Sequence, residues 1–149
     1  MTSHPITSTE LASSSIADLV EVAATRQPEA RALVLSADRV PLSYRDLVHL
    51  VDDLAGQLTR GGLLPGDRVA LRAASNAEFV VGLLAAARAD LIVVPLDPAL
   101  PVTDQHARSA GAGARVMLVD GAPDDAGQSM LPYWPIAVSR SEERRVGKE

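Results

Sequence analysis

Residues 67–97 read DRVALRAASNAEFVVGLLAAARADLIVVPLD, and this stretch decides the fold. Residues 67–73 are largely apolar and too few for a stable helix, so they form a short strand. Asn76 follows as a helix cap, because its side-chain oxygen can accept a first-turn N–H that has no partner within the helix. Residues 77–88 are nearly all apolar and supply that helix, and residues 91–95 form a second, continuously apolar strand. A helix between two apolar strands favours a parallel pair joined by a right-handed crossover, with both faces of the sheet covered.

Downstream, Asp97-Pro98-Ala99-Leu100-Pro101 is a rigid turn. Thr103 is expected to cap a weaker helix reaching about Ala110, Gly111 and Gly113 break it, and residues 115–119 form another strand. The β-α unit has repeated. After Asp120 the chain turns rich in Gly, Pro and Asp, and Leu131-Pro132-Tyr133-Trp134-Pro135 has no periodicity, so a mobile loop is expected there.

Upstream, Ser43 opens a helix whose buried stripe is Leu47, Leu50, Val51, Leu54 and Leu58. Asp46 stands where it can complete a short capping box, and Gly61-Gly62 ends the helix. Residues 32–35 and 40–42 flank a polar turn, Ser36-Ala37-Asp38-Arg39, and read as a β-hairpin. Ile16, Leu19, Val20, Ala23 and Ala24 recur at helical spacing behind Ser14 and Ser15, and Pro28 closes that first helix. Residues 1–15 lack Lys, Arg and the apolar core of a secretory signal, and read as a disordered leader. The expected class is α/β, with β-α-β units and a β-hairpin.

Composition narrows the function. Aromatic residues supply only 3% of the 149, so the core must be built from Ala, Val and Leu. The formal charge is -5 and no Lys/Arg cluster precedes the last ten positions, which argues against nucleic acid as a partner. With no cysteine there is no disulfide framework, no thiolate nucleophile and no Cys-based zinc site, and a cytoplasmic setting fits. The apolar stretch 79–95 is too short for a transmembrane segment and is interrupted by Arg88 and Asp90.

Five patterns invite a chemical reading, and each has a plainer one. Gly61-Gly62-Leu63-Leu64-Pro65-Gly66 has the glycine spacing of a phosphate loop, but Asp67 and Arg68 stand where Lys and Ser/Thr are needed, and the run leads from helix to strand. It reads as a helix stop and turn. Gly111-Ala112-Gly113 lacks the third glycine of a dinucleotide fingerprint. His49 and Asp53, four apart on one helix, are too few ligands for a metal, and His106 has no serine or cysteine to activate; both sites read as solvated surface. Asp124-Asp125 lies in a Gly/Pro-rich loop and reads as hydrated carboxylates.

Leu42-Ser43-Tyr44-Arg45-Asp46-Leu47 followed by Pro65-Gly66-Asp67-Arg68-Val69-Ala70-Leu71 resembles the opening of the adenylate-forming (AMP-binding) ligases, which include the acyl-CoA synthetases. The family's first motif, Leu-Thr/Ser-Tyr-x-Glu-Leu, is matched with Asp46 for Glu. Residues 84–97 resemble a second, in which an apolar helix passes through Ala-Gly into a strand ending Val-Pro-Leu-Asn/Asp-Pro. Asp90 replaces that Gly, at a position expected to need a left-handed residue and to cost Asp a little strain. Asn76 with Glu78-Phe79, Leu96-Asp97-Pro98 and the strand entry at 113–116 extend the resemblance over about residues 16–120.

The resemblance implies a partial amino-terminal domain over 16–139 of an AMP-forming acyl-CoA synthetase, or alternatively of an adenylation domain that loads a carrier protein. The implied parent turns ATP and a small-molecule carboxylate such as a fatty acid into an acyl adenylate, with magnesium on the phosphates and coenzyme A as acceptor. In that family the phosphate loop, nucleotide contacts and catalytic lysine lie downstream of the matched motifs, so the resemblance implies no catalytic, cofactor-binding or metal residue here and the piece itself is expected to be inactive. Residues 140–149 resemble a translated sequencing adapter and are set aside as an artefact. Removing them leaves ten basic against sixteen acidic residues, a charge of -6. From another class, a short non-catalytic binding or scaffold protein would share these features. A domain cut through its sheet leaves strand edges and apolar faces uncovered, which favours aggregation.

Overall fold

The computed structural model describes residues 15–34, 41–74, 76–121 and 131–138. Its elements are α1 (Ile16–Arg26), β1 (Arg31–Leu33), β2 (Leu42–Ser43), α2 (Tyr44–Arg60), β3 (Arg68–Arg72), α3 (Ala77–Arg88), β4 (Ile92–Leu96), α4 (Val102–Gly111), β5 (Val116–Asp120) and β6 (Tyr133–Ile136). Residues 1–14 of the leader expected over 1–15, the turn at 36–39, Asp124-Asp125 and the tail 140–149 lie outside the described residues, and Ser15 caps α1.

β3 to β6 form one parallel sheet in the order β4-β3-β5-β6. Central strand β3 buries Val69, Ala70 and Leu71 completely, which is why it reads as a continuous apolar run rather than an alternating one. Val69, Leu71, Val116, Leu118 and Ile136 face α2 and α3, while Ala70, Leu96, Met117 and Val119 form a smaller cluster on the opposite face. The expected stripe of α2 is buried, and Leu58 is fully enclosed. Burying each such leucine contributes about 2 kcal/mol. β1 and β2 pair antiparallel, Arg31 opposite Ser43 and Leu33 opposite Leu42 with an irregular register, so the two-stranded pair sits slightly away from the positions expected for the hairpin.

The helix starts follow from local chemistry. Ser15 Oγ accepts from Asp18 N–H while Asp18 Oδ2 accepts from Ser15 N–H, a full capping box on α1. Ser43 Oγ accepts from Asp46 N–H at 3.1 Å, and Asn76 Oδ1 from Phe79 N–H at 3.0 Å. α4 differs from expectation. It begins at Val102 behind Pro101, with no side-chain cap bond, and Thr103 lies inside its first turn. The Pro101 carbonyl accepts from Asp104 and Gln105 N–H, and proline's fixed φ leads into the helix without a hydroxyl cap.

The ends of α2, α3 and α4 share one device. After α2, Gly62 N–H donates to Thr59 O and Leu63 N–H to Leu58 O; after α3, Asp90 N–H donates to Ala87 O and Leu91 N–H to Ala86 O; after α4, Gly113 N–H donates to Ala110 O and Ala114 N–H to Ser109 O. Each is a Schellman stop, with a left-handed residue followed by a buried apolar one. The left-handed residues have φ of 97° at Gly62, 58° at Asp90 and 73° at Gly113.

The segment 131–135, expected to be part of a loop, corrects the sequence reading. Tyr133–Ile136 is strand β6, pairing Tyr133 with Met117 and Ile136 with Asp120. Prolines at 132 and 135 hid it, yet Pro135 is tolerated because β6 is an edge strand, as Pro95 is on the opposite edge strand β4. Trp134 lies against Gly61, where an added Cβ would come within 2.7 Å of the indole ring. Gly82 likewise lets α3 approach Leu71 and Ile136.

Asp90 is the one non-glycine residue with positive φ among the described residues. Asp90→Gly should therefore raise stability by about 0.5–1 kcal/mol, and Asp90→Ala should lower it by about as much. Urea midpoints of the three proteins check this; a destabilised Asp90→Gly would mean that the carboxylate stabilises the turn by more than its strain costs.

Candidate functional site

In an open parallel sheet, ligands enter outside the carboxyl ends of the strands where neighbouring connections leave in opposite directions. Here that switch point lies between β3 and β5. β3 leads through α3 to β4 on one side, and β5 leads towards β6 on the other. The residues bordering it are Ala74 and Asn76 after β3, and Asp120 at the end of β5.

The crevice is bridged by the protein itself. Asp120 Oδ2 accepts from Ala74 N–H at 3.0 Å and from Asn76 Nδ2 at 2.8 Å. Because Asn76 uses its other side-chain atom to cap α3, Asp120 fixes which way the amide points. One carboxylate thus joins the end of β5, the turn after β3 and the start of α3.

A second polar cluster lies on the α4 side. Gln105, only 2% exposed, donates through Nε2 to Leu100 O at 2.8 Å and Pro98 O at 3.3 Å, and accepts from Arg72 Nη1 at 2.9 Å. The Arg72 guanidinium carbon is 5.1 Å from the centroid of Tyr133, within cation–π range. His106 Nε2 is 3.1 Å from the Tyr133 hydroxyl. His106, expected to be a solvated surface residue, is instead half-buried and paired across 27 positions. The buried Ser109 hydroxyl donates to the Gln105 carbonyl one turn earlier in its own helix.

On the opposite face, Arg88 stands among three carboxylates. Its guanidinium is 2.7 Å from Glu21 and 3.3 Å from Asp18, both on α1, and 3.4 Å from Asp52 on α2. The hydrogen bond to Glu21 leads in raising the Arg88 pKa above its ordinary value; burial opposes it, and the charges of Glu21, Asp52 and Asp18 assist. A raised folded-state pKa means that this contribution is fully present below the ordinary guanidinium range and is lost only as pH rises through the folded value.

These arrangements hold elements together, and none unites a nucleophile with a base. His49 and Asp53 are both exposed on α2. Among the described residues no three or more of His, Asp and Glu gather where they could hold a metal ion. The side chains of Asp120, through Oδ2, and of Gln105 are directed at protein partners. Sequence reasoning found Asn76 as a cap but missed Asp120, Gln105, Arg72 and Tyr133. The carboxyl ends of the strands at 67–73 and 115–119 were the signal that could have found the Asn76–Asp120 pair.

Asp120→Ala should cost about 1–2 kcal/mol, because it removes the acceptor of two hydrogen bonds and frees Asn76 to turn. Asn76→Ala should cost about 1 kcal/mol as a lost cap. The double variant should fall short of additivity by at least about 0.5 kcal/mol in a denaturation cycle; strict additivity would show that the bridge carries no energy.

Comparison with known proteins agrees with this geometry. A family model described as AMP-binding enzyme matches residues 20–145. Surfactin synthase subunit 2 of Bacillus subtilis (strain 168) is 32% identical over 123 residues, covering 82% of this chain and 3% of that protein. The mitochondrial medium-chain acyl-CoA ligase ACSF2 of Homo sapiens is 34% identical over 93 residues, covering 62% of this chain and 15% of the ligase. The N-terminal subdomain of Klebsiella oxytoca NpsA superposes with a TM-score of 0.69 at 24% identity, over 81% of this chain and 31% of that one. The nonribosomal peptide synthetase FmoA3 gives 0.73 at 22% identity, over 84% and 14%. The chain thus spans a small part of each relative. Its parallel sheet, covering helices and antiparallel pair are the fold of part of an adenylation domain, and the chain belongs to the AMP-binding enzyme family.

Proposed function

We propose that this chain is scaffold from an enzyme that activates a carboxylate at the expense of ATP. The carboxylate oxygen attacks the α-phosphorus, the bond to the β-phosphate oxygen breaks, and acyl adenylate and pyrophosphate form. A thiol then displaces AMP to give a thioester. The observation that carries this reading is the family match across residues 20–145.

In the first form of the reading the thiol is coenzyme A and the parent is an acyl-CoA synthetase acting on an aliphatic acid; the likeness to the ACSF2 ligase supports it. In the second the thiol belongs to a carrier protein. The surfactin synthase alignment favours that form by covering 82% of this chain, against 62% for the ligase. ATP, magnesium and the acceptor would be held by parts of the parent beyond the described residues. No described helix is long and apolar enough to cross a membrane, and we place the parent in the cytoplasm.

The test is to extend the reading frame at the source locus past the codon for Ser139 and to assay the encoded protein. The expected result is a Ser/Thr/Gly-rich loop ending in Lys, together with carboxylate-dependent release of pyrophosphate from ATP. Transfer to free coenzyme A would support the synthetase form and transfer to a carrier thiol the other. The 149-residue chain alone should release none above background. A stop codon directly after Glu149, or carboxylate-dependent turnover by the chain alone, would overturn the reading.

A further inference from the structure

α1 is held to the rest of the fold in an unusual way. Ala17 is its one buried residue, while Ile16 and Val22 are 48% and 38% exposed. Beneath it runs a cleft of about 10 Å³, room for roughly one water, lined by Ala17 and Val20 of α1, Val48 and Val51 of α2, and Leu84 of α3. Apolar contact between α1 and its neighbours is therefore incomplete. The charged contact is concentrated in Arg88, which reaches Asp18 and Glu21 on α1 and Asp52 on α2.

We propose that α1 is a detachable arm held shut by Arg88, and that weakening this ionic cluster lets it swing off as a unit and uncover the strip Val48, Val51 and Leu84. The cluster is only part-buried, so salt screens it: the Debye length falls from about 10 Å at 0.1 M to about 3 Å at 1 M. The three carboxylates carry more charge than one guanidinium neutralises. Without Arg88, the acidic pair on α1 faces Asp52 on α2 and the same surfaces repel. The sign of the salt effect then reverses, which separates this arrangement from simple packing by the aliphatic stem of Arg88. Such a unit belongs to the low-free-energy end of local opening, below the opening of the packed α2–α3 core.

Amide hydrogen exchange by mass spectrometry on the full chain tests this, with α2 peptides as the internal reference. Raising NaCl from 0.05 to 0.5 M should speed α1 exchange about threefold, with α2 and α3 unchanged, as expected for loss of a part-exposed ion pair. Glu21→Gln, at a half-exposed side chain, should produce a similar acceleration at low salt. Arg88→Gln should open α1 further, roughly tenfold, and there added salt should slow the exchange. Asp52→Asn in the Arg88→Gln background should restore part of the protection. Salt-independent α1 exchange in the unsubstituted chain and in Glu21→Gln would overturn the proposal. So would exchange that rises equally in α1, α2 and α3, because the helix would then open only with the whole domain.

Discussion

Everything in this fold depends on stopping a helix within one residue and turning the chain into the next strand of the parallel sheet. The turn occurs three times, after α2, α3 and α4, at Gly62, Asp90 and Gly113. Each left-handed residue redirects the chain, and the next residue, Leu63, Leu91 or Ala114, anchors the new direction by burial. Strand register is inherited from these anchors. β3 pairs residue by residue with β4 from Arg68 opposite Ile92, and with β5 from Val69 opposite Val116. A turn one residue longer would move every side chain of the following strand to the other face, placing Val116 and Leu118 away from α2 and α3.

That constraint explains why much of the architecture was legible in the sequence. Helix stops, caps and apolar runs are local signals, and the family motifs coincide with them: Ser43 caps α2, Asn76 caps α3, and Asp90 occupies the left-handed position expected of it. β6 was not legible, because its partner strand supplies the reason for its extended form and its own prolines argue against one. Thr103 misled for a related reason. A hydroxyl near a helix start is a good cap in isolation, but the proline carbonyl two residues earlier had already taken the first helical bonds.

The polar clusters were harder still. Asp120 lies 44 residues from Asn76, and Arg72 lies 33 from Gln105. Such pairs have no spacing rule, because only the sheet brings them together. α4 shows the cost of judging a helix by its composition. His106 read as solvated from its polar surroundings, yet it is half-buried, and its neighbours Gln105 and Ser109 face inward and are satisfied by carbonyls and by Arg72. A buried glutamine with three hydrogen bonds is compatible with a core, whereas an unsatisfied one would cost about 1–3 kcal/mol. It therefore ties α4 to the turn after β4 more specifically than an apolar side chain could.

The same reasoning separates lineage from chemistry. At the switch point of an open sheet the strand ends present polar groups that are well placed to hold a ligand, but here Asp120 directs its carboxylate at a backbone amide and a cap. These two hydrogen bonds tie β3, β5 and α3 together across the crevice. The periphery obeys a different rule. α1 leans on a part-exposed charge cluster as well as on the limited apolar contact of Ala17 and Val20. Charge contacts weaken with salt while apolar burial does not, so ionic strength acts on the two parts of the molecule separately. Stability in this fold is thus graded from the sheet outward, and the gradient follows from which residues the helix stops bring inside.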